Sequence, residues 1–292
     1  MKKKILIIGG DSRLGKVLKF ELKKEKIKFV ATSRKKNSKH YLDLNDINDF
    51  KINQNFSACV ILAGITNYND CEKKKNKSRL INCKNIIQIS KKILNKNIFL
   101  CYVSTNTVFK SKSKSNEKSI PRPNFEYARQ KYFVEKKLSN YVKNKNKSDL
   151  FSILRLTKNV SKHTEPFKSW ILDIQKGNKI KAFDDLYFSP ILFENSANMI
   201  KKILNKKVAG TFHISNRHNL NYYQFALKLF SYLNLDKKKL IKANSKKQKI
   251  NLIFKNKQAA LSMMYTKPVL KTNYVNLIQI LSYIKKQINE KN

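Results

Sequence analysis

The stretch LIIGGDSRLGKVL, residues 6–18, decides the fold. An aliphatic run passes through two glycines into a helical pattern, and this order predicts a buried strand, a tight turn and a helix. Gly9, Ser12 and Gly15 have the spacing of a G-x-x-G-x-x-G loop, with serine in the middle slot. In such a loop the backbone N–H groups and the helix N-terminus bind a pyrophosphate, and the serine hydroxyl offers a further donor. The alternative is that the glycines only form a tight turn after the strand.

Strand and helix alternate from this stretch through the first half of the chain. Predicted strands span residues 4–8, 28–32, 58–62, 98–104 and 150–156, and predicted helices span 14–25, 78–94 and 125–142. In the second half, predicted helices at 165–176, 194–204 and 222–233 accompany predicted strands at 179–183 and 210–215. The polar residues 109–124 are typical of a mobile surface loop. We therefore expect an α/β fold, a Rossmann-type doubly wound parallel sheet with a smaller C-terminal lobe.

The composition is strongly basic, with 63 Lys and Arg against 19 Asp and Glu and a net charge of +44. Lysine outnumbers arginine 56 to 7 and is spread over the whole chain, so we interpret most of the charge as compositional drift on solvated faces. A polyanion-binding surface is the alternative, although neither RNA-module aromatics nor a basic zipper accompanies the charge. We therefore expect no specific nucleic-acid partner.

The lengths of the apolar runs and the spacing of the cysteines argue against a membrane, secreted or zinc-binding protein. The apolar runs at residues 5–8 and 60–63 are far shorter than the ~20 residues that cross a bilayer, so we expect no membrane span. The basic start resembles a signal peptide, but the apolar run ends in Gly-Gly-Asp without a cleavage site. The four cysteines, Cys59, Cys71, Cys83 and Cys101, lack the paired spacing of a zinc site. We expect reduced thiols, no metal and a cytoplasmic location.

The residues after the second predicted strand bear on the choice of cofactor. ATSRKK, residues 31–36, places Ser33 and Arg34 about twenty residues beyond the glycine loop, where an NAD enzyme has an acidic residue for the ribose 2′-hydroxyl. A serine and a guanidinium suit a 2′-phosphate instead, so this segment predicts NADP. The alternative is that these are ordinary basic residues of a basic chain.

Tyr127 and Lys131 lie four residues apart at the start of a predicted helix and therefore on one face of it. A phenol with a pKa near ~10 is a poor acid–base catalyst, and a neighbouring ammonium lowers that pKa by stabilising the phenolate. Thr105 follows a predicted strand, at the carboxyl edge where open α/β sheets present catalytic groups. We expect Thr105 and Tyr127 to hydrogen-bond a substrate carbonyl, with Lys131 activating the tyrosine.

The order of these motifs resembles the extended short-chain dehydrogenase/reductase superfamily, and within it the dTDP-4-dehydrorhamnose reductase-like branch of nucleotide-sugar enzymes. The motifs that carry the likeness are the glycine loop, SRK at 33–35, LDLND at 42–46, LAGITNYNDCE at 62–72, VSTNTVF at 103–109, YARQK at 127–131 and ILRLT at 153–157. The likeness continues through residues 183–200 and 210–230, so it covers nearly the whole chain. Asn106 and Thr107 stand where the family often has Asp-Tyr. They disfavour the dehydratase reaction, which needs an acidic pair there.

The resemblance implies a role for each motif. It makes Thr105, Tyr127 and Lys131 a hydroxyl–Tyr–Lys triad, with Lys131 also on the nicotinamide ribose. It places residues 43–44 beside the adenine and residues 63–64 over the phosphate and ribose. The implied cofactor-binding set is Gly9, Ser12, Arg13, Leu14, Gly15, Ser33, Arg34, Asp43, Leu44, Ala63, Gly64 and Lys131. The implied substrate contacts are Asn106, Ser189 and Arg155, for which a buried ion pair is the alternative.

The resemblance also implies an activity. We expect an NADP-dependent reductase of a 4-keto nucleotide sugar, in which a tyrosine protonates the developing alkoxide. Residues 1–155 with the return segment 179–207 form the predicted NADP-binding domain, and residues 156–178 with 208–292 form the predicted substrate-binding lobe. The alternatives are a nucleotide-sugar epimerase of the same superfamily and a non-catalytic NADP-binding regulatory subunit. The expected partner is the nucleotide-sugar substrate, and a homodimer is left open.

Overall fold

The computed structural model describes residues 4–52, 55–110, 112–248, 252–255 and 257–290. Its strands are β1 (Lys4–Ile8), β2 (Phe29–Ala31), β3 (Phe56–Ile61), β4 (Phe99–Thr105), β5 (Phe151–Leu156), β6 (Lys158–Val160), β7 (Ile180–Phe183), β8 (Tyr187–Phe188), β9 (Pro190–Leu192), β10 (Gly210–Ile214), β11 (Leu220–Asn221) and β12 (Leu240–Ala243). Its α-helices are α1 (Arg13–Lys24), α2 (Tyr68–Lys73), α3 (Lys75–Arg79), α4 (Ile86–Asn95), α5 (Glu126–Asn144), α6 (Phe167–Gln175), α7 (Phe193–Lys206), α8 (Tyr222–Leu233), α9 (Thr266–Leu270) and α10 (Leu277–Asn289). A π-helical turn, Leu80–Asn85, joins α3 to α4.

Six parallel strands form the central sheet in the order β10-β5-β4-β3-β1-β2. From β1 the chain first adds β2 on one side and then crosses to β3 on the other, so the winding direction reverses between β1 and β3. An open parallel sheet leaves a crevice at this reversal, outside the carboxyl ends of the strands. Gly9 follows β1 there, and Ala63 follows β3. The predicted doubly wound parallel sheet is confirmed, and the glycine loop lies at its crevice.

Successive side chains of each strand enter two apolar cores, one on each face of the sheet. In β1, Ile5 and Ile7 belong to one core, while Leu6 and Ile8 belong to the other, as the two-residue period of a strand requires. The helices α1 and α7 pack together over the first core, and α4 and α5 pack over the second. Both faces of the sheet are therefore covered, which leaves its carboxyl edge to bind ligands.

Within the described residues, three two-stranded sheets lie outside the central one, with pairs β11-β8, β12-β7 and β6-β9. The pairing differs from the predicted domain division at two points. The predicted return segment 179–207 contributes β7 to a small sheet with β12, and β10, predicted in the lobe 208–292, is an edge strand of the central sheet. The prediction divided the chain by position in the sequence. In the structure, β10 pairs with β5 in the central sheet although it follows segments of the predicted lobe.

The polar stretch at residues 109–124 has no helix or strand among its described residues, but part of it is firmly anchored. Ser115 and Glu117 are buried, and the Glu117 carboxylate accepts hydrogen bonds from the Thr266 N–H at 2.7 Å and from its hydroxyl at 2.5 Å. Ile120 remains 75% exposed. The expectation of a mobile loop is therefore wrong around Glu117. A buried carboxylate needs such partners, and composition does not reveal a partner so distant in sequence.

None of the helices in the described ranges has the length and apolar character that crossing a membrane requires. The four cysteines are free and buried. Across the same ranges, His, Cys, Asp and Glu side chains do not gather into any group of three or more that could hold a metal ion.

Candidate active site

The glycine loop forms a tight turn that brings two strand ends together. Gly9 has a φ of +93°, and a Cβ built on it would lie 2.7 Å from the Ala63 backbone nitrogen. A Cβ on Gly15 would lie 2.6 Å from the Gly9 carbonyl oxygen. Ser12 caps α1: its hydroxyl accepts from the Gly15 N–H at 3.0 Å and donates to the Gly9 carbonyl at 2.8 Å. The serine hydroxyl, expected from the sequence to donate to a phosphate, thus donates within the loop, which it stabilises as a cap.

A cavity opens between this loop and the segments that follow β2 and β3. The predicted cofactor residues that line it are Gly9, Ser12, Ser33, Arg34, Asp43, Leu44, Ala63 and Gly64. The lining residues that sequence reasoning missed are Asp11, Thr32, Leu42, Asn45, Leu62, Ile65 and Ile81. Arg13, Leu14 and Gly15 lie at the start of α1 behind the lining, where Leu14 is part of the apolar core. Eight of the predicted residues, from four separate motifs, are therefore brought to one place.

Asn82, in the π-helical turn, holds the far wall of this cavity. Its side-chain oxygen accepts from the Ile65 N–H at 2.8 Å, and its amide nitrogen donates to the Ile65 carbonyl at 2.9 Å. Gly64 has a φ of +148°, and a Cβ there would lie 2.8 Å from the Asn82 Oδ1. Nothing in the spacing of the motifs indicates this buried asparagine, because its partner lies 17 residues earlier in the chain.

The end of the cavity near β2 combines an acidic and a basic group. The Asp11 carboxylate accepts from the Ser33 hydroxyl at 2.5 Å and from the Arg34 N–H at 3.3 Å. The bond from Ser33 is the main cause that lowers the pKa of Asp11. Ser33 and Arg34 are the two residues predicted to bind a 2′-phosphate. Because the Ser33 proton is directed to Asp11, the exposed Arg34 side chain is the remaining donor at this end.

The predicted triad lies one strand along the same edge, where β4 ends beside the first turn of α5. Tyr127 is buried, and the Lys131 ammonium donates to the Val103 carbonyl at 3.0 Å, 4.8 Å above the Tyr102 ring. The same ammonium lies 6.0 Å from the centre of the Tyr127 ring. Thr105 is the last residue of β4. The structure therefore brings all three residues to the carboxyl end of β4.

Burial dominates the acid–base properties of this pair. It raises the pKa of Tyr127 well above that of a free phenol, and it lowers the pKa of Lys131 to about 8. The expected lowering of the Tyr127 pKa is not seen, because burial of the phenol outweighs any attraction to the Lys131 ammonium. At neutral pH Tyr127 is thus protonated, which is the form that a general acid needs.

A second cleft, polar and aromatic, reaches the triad at Thr105, while Tyr127 and Lys131 are outside its lining. It is lined by Thr66, Tyr68, Asn69, Thr105, Asn106, Thr107, Thr157, Lys158, Asn159, Leu186, Tyr187, Phe188, Ser189, Tyr222, Leu252, Ile253, Phe254, Lys255 and Ala259. Of the predicted substrate contacts, Asn106 and Ser189 are in this lining. The Asn106 amide donates to the Ala259 carbonyl at 2.7 Å, and the fully buried Ser189 donates to the Asn216 carbonyl at 3.2 Å. Both side chains therefore help to build the wall of the cleft.

Arg155, the third predicted substrate contact, is outside this lining. It is 5% exposed, its guanidinium donates to the Glu135 carboxylate at 2.7 Å, and it lies 5.0 Å from the centre of the Phe109 ring. A further guanidinium nitrogen lies 3.4 Å from the His213 Nε2. Arg155 is accordingly the buried ion-pair partner that the sequence left as the alternative.

A family model and several solved structures match nearly the whole chain. The model of the family described as RmlD substrate binding domain matches residues 2–288. A comparison with curated protein sequences finds no match. Among solved structures, dTDP-4-dehydrorhamnose reductase from Bacillus anthracis str. Ames in complex with NADP is similar at 20% identity, with 98% of this chain and 99% of that chain covered and a TM-score of 0.80.

Two further solved structures show the same likeness. The dTDP-4-dehydrorhamnose reductase from Yersinia enterocolitica is 22% identical, with 98% of this chain and 99% of that chain covered and a TM-score of 0.79. RMD from Pseudomonas aeruginosa, complexed with NADPH, is 14% identical, with 99% and 100% covered and a TM-score of 0.78. At these identities the structural likeness shows the fold.

Proposed function

Because the chain belongs to the RmlD substrate binding domain family, we propose that it is an NADPH-dependent reductase of a nucleotide-linked 4-keto sugar. The observation that carries the proposal is the placement of Thr105, Tyr127 and Lys131 at the end of β4, one strand from a cavity at the sheet reversal. The solved relatives with bound NADP or NADPH support the choice of cofactor.

The residues of the cavity fit a dinucleotide. The turn at Gly9 is so crowded that a Cβ would enter the Ala63 backbone, and such turns let backbone N–H groups approach a pyrophosphate. The Arg34 side chain would hold a 2′-phosphate at the β2 end, and Lys131 would hold the nicotinamide ribose. NADPH, when bound, supplies the hydride that reduces the carbonyl carbon.

The chain itself supplies the proton and the orientation of the substrate. Tyr127, protonated at neutral pH, gives its proton to the carbonyl oxygen as negative charge develops there. Thr105 donates a second hydrogen bond to the same oxygen, which strengthens as the charge grows. Lys131 supplies a positive charge beside the phenol, and this favours the phenolate that remains after proton transfer.

The cleft beside the triad is the proposed site of the nucleotide sugar. The later part of the chain contributes residues 186–189, 222, 252–255 and 259 to its lining, so the proposed substrate position lies between the sheet edge and these segments. Asn106 and Thr107 offer no carboxylate beside Thr105, which favours reduction over elimination of water. A homodimer and a cytoplasmic location stay predictions.

The test measures binding and turnover separately. Saturation binding of NADPH and NADH at moderate salt, with inorganic polyphosphate as a charge control, is expected to show saturable NADPH binding that polyphosphate does not displace. Turnover of dTDP-4-dehydrorhamnose is then followed by NADPH oxidation. Tyr127→Phe is expected to lower kcat about 10³-fold, because a general acid contributes 10²–10⁴-fold, with the Kd for NADPH within about twofold.

The matched control is Tyr141→Phe, which removes a phenol from the distal part of α5, where it bonds Asn95. It is expected to keep wild-type turnover. Polyphosphate that displaced NADPH completely would contradict the proposal and favour a polyanion binder. NADPH binding without turnover of any 4-keto nucleotide sugar would contradict reduction and favour the non-catalytic alternative.

A further inference from the structure

Lys158 is a cation of the substrate cleft that has no acidic partner. The described lining of the cleft contains two charged side chains, Lys158 and Lys255, and no aspartate or glutamate. Lys255 forms an ion pair with Asp185 and donates to the Ser245 hydroxyl at 3.3 Å. Across the part of the chain that the structure describes, the Lys158 ammonium has no ion pair and no hydrogen bond. The cleft therefore offers one ammonium whose three N–H donors are available to a ligand.

The backbone that carries Lys158 is held in place by its neighbours. Lys158 is the first residue of β6, which pairs in parallel with β9, and its N–H donates to the Ser189 carbonyl at 3.2 Å. The next residue, Asn159, accepts from the Ser196 hydroxyl of α7 at 2.8 Å. The position of the Lys158 Cα is therefore fixed by the sheet and by α7, and only the side chain has to turn toward a ligand.

The strand register places Lys158 close to the proposed reaction centre. Leu156, the last residue of β5, pairs with Thr105 of β4. Paired residues of neighbouring strands lie about 5 Å apart and two further residues span at most about 7 Å, so the Cα atoms of Thr105 and Lys158 lie within about 12 Å of each other. In a 4-keto pyranose the diphosphate is attached at C1, across the ring from the carbonyl at C4. A lysine this close to Thr105 therefore suits the diphosphate when Thr105 contacts the carbonyl oxygen.

The surroundings of Lys158 favour a bound anion. The side chain reaches solvent, but it does so inside a cleft, where burial lowers the pKa of the ammonium and repulsion from Arg13 lowers it further. An anion beside the ammonium opposes both effects, because an opposite charge favours the protonated form. Arg13 begins α1 at the glycine loop, so the pyrophosphate of the cofactor is the competing anion. Lys158 lines the cleft and is outside the lining of the cofactor cavity, which favours the substrate.

We propose that Lys158 binds the diphosphate of the nucleotide-sugar substrate and thereby selects nucleotide-linked sugars over free ones. The inference rests on the proposed function. The charge of the diphosphate does not change while the carbonyl at C4 is reduced, so this contact is equally strong in the ground state and in the transition state. A contact of this kind lowers KM and leaves kcat unchanged.

Lys158→Gln removes the charge and keeps a polar side chain. In isothermal titration the Kd values for dTDP and UDP are expected to rise about tenfold, the lower range for a charge-assisted hydrogen bond, while the Kd for NADPH stays within about twofold. With dTDP-4-dehydrorhamnose and NADPH, KM for the sugar is expected to rise by the same factor, with kcat within about twofold. Lys158→Arg keeps the charge and is expected to bind dTDP within about threefold of the wild type.

Lys181→Gln is the matched control, because it removes an exposed lysine of β7 that is outside the lining of the cleft. It is expected to leave all of these constants unchanged, and thermal unfolding reports whether each variant folds. Equal weakening of dTDP binding by Lys158→Gln and Lys181→Gln would reduce the effect to general charge and overturn the proposal.

The remaining outcomes separate this role from the proposed function. If Lys158→Gln weakens NADPH binding but not dTDP binding, the lysine belongs to the cofactor, and this role alone is overturned. The same holds if Lys158→Gln changes neither Kd. A wild-type protein that binds neither dTDP nor UDP overturns the proposed function, and this role with it.

Discussion

The cofactor cavity and the substrate cleft open at the same edge of the central sheet but are made from different kinds of residue. The cavity is lined by residues of the segments after β1, β2 and β3, together with Ile81 of the π-helical turn, all within residues 9–81. The cleft is lined mainly by polar and aromatic side chains drawn from residues 66–259. The first site therefore depends on local turns, and the second depends on how distant segments pack.

The difference matters for which substitutions each site tolerates. In the cavity a single extra carbon enters the backbone of a neighbouring turn, as the contact between Gly9 and Ala63 shows. In the cleft the side chains have partners of their own, such as the Asn106 amide on the Ala259 carbonyl. The cavity is therefore constrained by steric fit, whereas the cleft is constrained by networks of hydrogen bonds and charges.

The largest expected effect concerns the charge network behind the cleft. Arg155→Met leaves the Glu135 carboxylate buried without its partner, and both side chains are less than a tenth exposed. We expect the free energy of unfolding to fall by about 3–5 kcal/mol, the usual cost of breaking a buried pair from one side. Urea unfolding followed by circular dichroism measures it. The double variant Arg155→Met/Glu135→Leu is expected to recover most of the loss, because neither charge then remains buried.

The opposite outcome would change which residues are assigned to the substrate cleft. If Arg155→Met left unfolding unchanged but raised KM for dTDP-4-dehydrorhamnose tenfold or more, Arg155 would be a substrate contact and the boundary of the cleft would have to include it.

The same contrast explains how far sequence reasoning could go. The helices and strands of the first half are confirmed within one or two residues at most ends, because each has an apolar period and a turn at its end: β1 is Lys4–Ile8 as predicted, and α5 is Glu126–Asn144 against the predicted 125–142. The predicted helix at 78–94 instead begins in α3 and passes through a π-helical turn, since propensity does not show where an extra residue is inserted.

Other strands and helices had weaker sequence signals or none. The strands β6, β8, β9, β11 and β12 are two to four residues long and pair with distant segments, so no local period marks them. The helix α10 was absent from the prediction although Ile280, Leu281 and Ile284 have helical spacing and are buried. At the site, motif order indicated the glycine loop and the triad. Asn82 had no sequence signal, because its role comes from hydrogen bonds with Ile65, 17 residues earlier in the chain.

The next largest effect tests the steric half of the comparison. Gly9→Ala forces a Cβ to within 2.8 Å of the Ala63 backbone at a φ of +93°. We expect the Kd for NADPH to rise about 100-fold or more, because the turn over the cavity must move. Gly177→Ala is the matched control: its φ is +70°, and its Cβ would meet only the Lys239 Nζ at 3.6 Å. It is expected to cost about 1–2 kcal/mol of stability with NADPH binding unchanged. Equal losses of NADPH affinity in both variants would show that strain alone, and not the crowding at Ala63, is responsible.

The smallest expected effect decides whether Arg34 is more than another surface cation. Arg34→Ala is expected to weaken NADPH binding about tenfold, the lower range for a charge-assisted bond to a phosphate, and to leave NADH binding within twofold. Lys36→Ala removes an exposed charge two residues away, outside the described lining of the cavity, and is expected to change neither Kd. Isothermal titration at two salt concentrations separates a specific contact from general attraction, because diffuse attraction falls with salt for both variants alike. If Arg34→Ala and Lys36→Ala weakened NADPH binding equally, the preference for NADPH would come from the overall charge of the chain. The cavity would then not recognise the 2′-phosphate through a specific contact.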